Sequence, residues 1–185
     1  MSRVVFFFAD GLEECEGLIP VDLMRRAGIH VDIAAVGEAS IIVGSHGIRI
    51  VCDKLARDVD SSEYDCVMLP GGLPGTDNLA ASEKVRDVCR EMDAEGKLVC
   101  AICAAPGALA GFGVLEGQKA SVYPGREHFL AEGGAECTGQ QVTIDANNIT
   151  GEALGAAFKF AFEVIAALEG REVSDRVRNA IVYKD

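Results

Sequence analysis

Three groups of residues have the types and spacing to do chemistry together. They are a thiol at Cys103, a run of carboxyls at Glu13, Glu14 and Glu16, and a glycine pair at Gly71-Gly72. Cys103 closes the apolar run Leu98-Val99-Cys100-Ala101-Ile102 and precedes Ala104-Ala105-Pro106-Gly107-Ala108-Leu109. That order reads as a strand buried on both faces, a sharp turn and a helix. The serine form of such a turn is the nucleophile elbow, and here the side chain is a thiol. Unpaired N–H groups and the helix dipole at the turn favour thiolate over thiol, which predicts a nucleophile. The competing account is a buried, inert cysteine, because free Cys is among the most buried residue types.

The other two groups suit the same chemistry. Gly71-Gly72 follows the apolar run Cys66-Val67-Met68-Leu69. Without Cβ atoms, its N–H groups can approach a reacting oxygen and form an oxyanion hole with the elbow N–H at Ala104; Pro-Gly-Gly is also an ordinary turn composition. A carboxyl beside the thiolate would keep its proton and hydrogen-bond the sulfur. Residue types alone do not choose among the three acids, and Glu13 and Glu14 read as solvent-facing acids at a helix start.

Other chemistries are poorly supported. Cys100 and Cys103 have Cys-x-x-Cys spacing, but Cys100 falls inside the strand and no second metal-ligand pair exists, so neither a redox pair nor a metal is expected. His30, His46 and His128 read as surface histidines. No glycine-rich dinucleotide loop follows the first strand, so no cofactor is implied.

The elements that must position these groups alternate. Val4–Phe8 reads as a central strand, residues 13–26 as a helix stopped at Gly28, and Val31–Val36 as the next strand, a βαβ unit. Residues 41–51 read as a small hairpin excursion, and residues 82–94 as a helix. Lys119–Tyr123 reads as a short strand and Arg126–Ala131 as a helical turn or two. Residues 142–150 read as a hairpin and Leu154–Leu168 as a sheet-packed helix. The tail reads as a short helix with a last strand at Ala180-Ile181-Val182. The whole predicts one α/β domain over residues 1–185, a mostly parallel doubly wound sheet with helices on both faces. The three candidate groups all follow parallel strands and so emerge at one carboxyl edge.

Composition excludes several classes. The formal net charge of −12 argues against nucleic acid or an anionic membrane as partner. Seven cysteines without regular spacing make a poor disulfide framework. No apolar run is long enough for a signal or a membrane span, so a reducing cytoplasmic setting is expected.

At these residues the chain resembles the ThiJ/PfpI superfamily, in its Parkinson disease protein deglycase branch. The carriers are Glu13-Glu14-Cys15-Glu16 with Ile19-Pro20-Val21-Asp22, then Met24-Arg25-Arg26-Ala27-Gly28-Ile29, Leu69-Pro70-Gly71-Gly72, Ala101-Ile102-Cys103-Ala104-Ala105-Pro106 and Leu168-Glu169-Gly170-Arg171-Glu172-Val173. The resemblance implies a flavodoxin-like three-layer sandwich and a homodimer. It makes Cys103 the reactive cysteine, Glu16 its protonated partner and Gly72 an oxyanion donor. It implies a cofactor-independent glyoxalase or deglycase acting on methylglyoxal, a small aldehyde, or on glycated proteins. The alternative it implies is an oxidative-stress sensor or chaperone-like protein whose Cys103 becomes a sulfinate.

The chain also departs from that pattern. The family histidine near the cysteine aligns with Tyr123, a poorer proton shuttle at neutral pH. The family's hairpin arginine, which can reach the partner's site, aligns with His46. Its Arg-Gly-Pro-Gly-Thr segment aligns with Glu152-Ala153-Leu154-Gly155-Ala156, placing an acid where a cation stands. Peptide-cleaving members carry histidine where this chain has Ala104, which speaks against a peptidase.

Overall fold

The computed structural model describes residues 1–184. In chain order the strands and helices are β1 (Arg3–Phe8), α1 (Glu14–Arg26), β2 (His30–Ala35), β3 (Ile41–Val43), β4 (Arg49–Val51), β5 (Lys54–Leu55), β6 (Cys66–Leu69), α2 (Gly75–Ala81), α3 (Glu83–Ala94) and β7 (Leu98–Ile102). There follow α4 (Ala105–Gly111), β8 (Lys119–Ala120), α5 (Glu127–Glu132), β9 (Glu136–Cys137), β10 (Val142–Asp145), β11 (Asn148–Gly151), α6 (Ala157–Glu169) and α7 (Arg171–Ala180).

Seven strands form the main sheet in the order β10-β11-β7-β6-β1-β2-β5, parallel except for β10 against β11. The five long parallel strands thus run 2-1-3-4-5 in chain order, the flavodoxin-like winding. The direction of winding reverses between β1 and β6, and ligands of such sheets bind outside the strand ends at that crevice.

Because side chains alternate along a strand, β1 feeds two cores. Val4, Phe6 and Phe8 join the core shared with α1, α6 and α7, whereas Val5, Phe7 and Ala9 join the one shared with α3, α4 and α5. Helices therefore cover both faces, giving the three-layer sandwich expected.

Helix α1 begins where Glu13 caps it, its carboxylate accepting the Glu16 N–H at 2.7 Å. Arg25 and Arg26 occupy its last turn, where they oppose the negative end of the helix dipole. Gly17 lets α1 lie close on the sheet: a Cβ there would sit 2.6 Å from Phe8 Cζ and 3.0 Å from Leu12 Cδ1. One residue earlier, this close approach carries Glu16 to the sheet edge.

Several expectations need correction. The tail has no strand: α7 runs to Ala180, and Ile181 and Val182 form a turn instead. The chain there continues α7, which packs on α6. The strand expected over Lys119–Tyr123 shortens to Lys119–Ala120, paired in parallel with β9. Leu154–Ala156 is a 3-10 turn, so the helix begins at Ala157. Helix α2 was not expected at all, its signal hidden by the Pro-Gly composition before it.

Gly17→Val is expected to lower unfolding free energy by about 1–3 kcal/mol, as overpacking does. Urea unfolding checks this; an unchanged midpoint would show that α1 does not depend on this approach.

Candidate active site

Cys103 lies at the junction of β7 and α4 with φ +65°, a left-handed conformation that non-glycine residues rarely adopt. The elbow is held from both sides: the Cys103 N–H donates to the Gly151 carbonyl at 2.9 Å, and its carbonyl accepts the Tyr123 N–H at 2.8 Å. Strain of this kind persists where surroundings over-determine it, and it is frequent at reactive turns. The Cys103 side chain is half-buried rather than sealed.

Glu16 is 1% exposed and reaches the same point from α1. Its Oε2 accepts the Gly71 N–H at 3.1 Å. The meeting is so close that a Cβ on Gly71 would sit 2.5 Å from both Cys103 Cβ and Glu16 Oε2, and 3.0 Å from Cys103 Sγ. Gly71 must therefore lack a side chain for acid and thiol to meet. Gly72, at φ +89°, is packed as tightly against the Leu12–Glu13 backbone. Loops after β1, β6 and β7 thus converge beside the β1/β6 crevice.

Burial pushes the Glu16 carboxyl up to about 7, partly offset by hydrogen bonds from the Cys103 side chain and the Gly71 and Leu154 N–H groups. Burial likewise pushes the Cys103 thiol up, to about 12, and the Glu16 charge adds to the rise; the Gly72 and Ala104 N–H groups act in the opposite direction. This corrects the expectation that the elbow alone would make a free thiolate: desolvation outweighs the N–H groups. The two acids are not independent. A proton on Glu16 removes the negative charge that raises the thiol and supplies a donor to sulfur, so the pair loses its first proton as a unit.

The other acids behave differently from one another. Glu14, expected in solvent, is 2% exposed. It clamps the β3–β4 hairpin: one oxygen accepts the His46 N–H at 2.8 Å, and the other lies 2.8 Å from His46 Nδ1. Although burial opposes it, the Glu14 pKa falls to about 2 because these bonds and the Ile48 N–H favour its charge; the same pairing raises His46. His46 therefore holds its own hairpin against α1 and is not brought to Cys103. Glu13 stays with the helix cap. Tyr123 contributes its backbone to the elbow, while the residue as a whole is 48% exposed.

Among the described residues, Glu13, Glu14 and His46 have ligand atoms within 4.8 Å of one another. Those atoms already bind one another and the helix start, so no metal is needed to hold them. Cys100 is fully buried, its Sγ 3.7 Å from Cys66 Sγ on β6, which removes it from any pairing with Cys103. Among the described residues no helix is long and apolar enough to cross a membrane. The sequence singled out Cys103, the Gly71-Gly72 pair and Ala104, and the resemblance chose Glu16; neither pointed to Gly151 or Leu154, which act through backbone groups. At Gly71 the sequence suggested an oxyanion donor, whereas its N–H is given to Glu16.

Residues 2–167 match the model of the DJ-1/PfpI family. The Parkinson disease protein 7 homolog of Danio rerio is 35% identical, over 100% of this chain and 98% of its own length. Deglycase PfpI of Pyrococcus furiosus is 29% identical, over 90% of this chain and 99% of its own. A solved structure of oxidized DJ-1 from Toxoplasma gondii superposes with a TM-score of 0.95 at 30% identity, each chain covered completely. The chain belongs to the DJ-1/PfpI family.

Glu16 has a folded pKa of about 7, above its ordinary 4.5. The folded state keeps this proton while the unfolded state releases it, so the site costs stability as pH rises from about 4.5 to about 7, by roughly 3 kcal/mol. Glu14 works the other way: its lowered pKa stabilises the fold above about 4.5, and that contribution is lost as pH falls toward 2. Stability measured against Glu16→Gln should therefore show the variant gaining on the wild type across the first window. A difference that does not change with pH would mean that Glu16 is not desolvated.

Proposed function

We propose that this protein is a cysteine-dependent, cofactor-independent glyoxalase or protein deglycase acting on methylglyoxal or its adducts. The observation that carries this is the meeting of Cys103 and Glu16 at a glycine that leaves them no intervening atom. The name of the Pyrococcus relative agrees with it.

In this reading the Cys103 sulfur forms a bond to the aldehyde carbon. The carbonyl electron pair moves to oxygen, which takes the Glu16 proton. From an aminocarbinol adduct, the C–S bond forms as the C–N bond breaks, and the amine leaves protonated. Glu16 then moves the proton from the aldehyde carbon to the neighbouring carbon. The former aldehyde carbon is thereby oxidised to a thioester and the ketone reduced to an alcohol, without an outside oxidant. Water cleaves the thioester, and lactate and the thiol are released. The Gly72 and Ala104 N–H groups, which face the sulfur in the free protein, steady charge on sulfur and on the adjacent oxygen.

A second reading is a sensor. Cys103 combines partial exposure with a neighbouring acid whose pKa lies near neutrality. Two peroxides would convert its thiolate to a sulfinate with release of two waters, and protonated Glu16 would hold one sulfinate oxygen. The solved Toxoplasma relative is an oxidized form.

The expected partner in either reading is a second copy. Ile41, Val43, Ile48 and Val51 on the hairpin, and Leu18 on α1, are exposed apolar residues, and Glu14 binds hairpin to helix. Covering such a patch is what an isologous dimer does.

Lactate release from methylglyoxal should be lost in Cys103→Ser and fall by roughly a hundredfold or more in Glu16→Gln. Wild-type rates in Cys103→Ser would end the enzyme reading. Mild peroxide followed by peptide mass mapping should place two added oxygens on Cys103 first; even oxidation over the accessible cysteines would end the sensor reading. Light scattering should give twice the chain mass, and Val51→Asp should halve it; an unchanged mass would place the interface elsewhere.

A further inference from the structure

Most of the large apolar residues that this protein leaves exposed fall into two groups. One is the hairpin with Leu18, proposed above to meet a second copy. The other is Leu73, Tyr123 and Leu154, which are 49%, 48% and 42% exposed. They come from three separate loops, and each is tied through the backbone to the Cys103–Glu16 pair. Leu73 follows Gly72, whose N–H faces the Cys103 sulfur. The Tyr123 N–H is donated to the Cys103 carbonyl at 2.8 Å. The Leu154 N–H is donated to the Glu16 carboxyl. These bonds gather three exposed apolar residues around one partly exposed sulfur. A lone exposed apolar residue is ordinary, whereas a group of them beside a reactive atom marks a surface that a ligand covers.

The charges around the pair narrow the ligand further. Those acting on it are acidic: Glu13 on Glu16, and Glu16 on Cys103. Glu152, between Gly151 and Leu154 in the chain, adds another acid to the same segment. Arg126 is bonded through its N–H to the Tyr123 carbonyl at 3.0 Å, but its guanidinium lies over the Phe129 ring, 4.5 Å from the centroid. A carboxylate brought to the sulfur would lose water and meet like charge. A hydrocarbon group would cover the three apolar residues and be covered by them.

We infer that Leu73, Tyr123 and Leu154 are specificity-determining residues of this site, selecting an uncharged substrate with a hydrocarbon substituent over one bearing a carboxylate. On the aldehyde chemistry proposed above, on which the identity of the substrate rests, that class is a 2-oxoaldehyde with an aliphatic chain longer than methyl.

The test reads alkylation of Cys103 in the full-length protein by iodoacetamide, N-butyl iodoacetamide and iodoacetate, followed by peptide mass mapping. Each rate is divided by that of N-acetylcysteine with the same reagent, which removes intrinsic reactivity. No turnover is needed, so the rim and the aldehyde chemistry fail separately. All three reagents attack one sulfur, so a change in its ionisation leaves their ratios alone. Taking one methylene fully out of water is worth about fourfold. A half-covered butyl chain should therefore react roughly tenfold faster than iodoacetamide, and iodoacetate should be slower by about threefold or more. Leu73→Ser and Leu154→Ser should each reduce the butyl gain, and the double variant should abolish it. Ile144→Ser, which removes an exposed apolar side chain on β10, should leave it intact. Equal rates for the butyl reagent and iodoacetamide, a gain that survives in the double variant, or iodoacetate as fast as iodoacetamide would overturn the proposal.

Discussion

Everything in this site depends on one proton held between two buried acids. Glu16 and Cys103 are both pushed toward their neutral forms by desolvation; the charge on Glu16 pushes the thiol further, while the Cys103 hydrogen bond partly offsets the rise at Glu16. A single negative charge is tolerable there because N–H groups surround it: Gly71 and Leu154 face the carboxyl, and Gly72 and Ala104 face the sulfur. A second charge has no such support. The site is thus a proton-shuttling pair by construction, and the thiol is reactive through its neighbour rather than through the elbow alone.

That pairing sets what the fold must do. Helix α1 has to come close enough for Glu16 to reach an atom anchored on a different strand, and Gly17 against Phe8 permits it. The Glu13 cap fixes where the helix starts, and the bonds from Glu14 tie the same turn to the hairpin. Four consecutive residues of α1 and its cap are therefore committed differently: Glu13 to the backbone, Glu14 to His46, Cys15 to solvent and Glu16 to the thiol. Their order in sequence is the helical geometry that sends each in its own direction.

Much of this was legible in the residues. Apolar runs with glycine and proline punctuation located the central strands, the elbow and the hairpins, because buried parallel strands leave an unambiguous pattern. What failed shares a physical cause. The tail run Ala180-Ile181-Val182 resembles a strand, but it closes α7, and the packing of α7 on α6 that decides this is a tertiary contact the sequence does not reveal. Helix α2 is short and follows a Pro-Gly loop, so its periodicity is too brief to detect. Within the site, Cys103 was found by its position, whereas choosing Glu16 over its neighbours required the family resemblance. Glu14 looked like a solvent acid because its partner, the His46 turn, lies across the fold. The elbow was read as enough to ionise the thiol; burial, a property of the packed state, reverses that sign.

The shared-proton account is tested most directly by the pH dependence of Cys103 alkylation, followed by mass spectrometry at that residue. A pair that loses its first proton as a unit divides the remaining one between sulfur and carboxyl in a fixed ratio. The alkylation rate should then rise through a titration near pH 7 and level off in the alkaline range. A rate that keeps climbing with pH without a plateau, as for an isolated buried thiol titrating near 12, would contradict it.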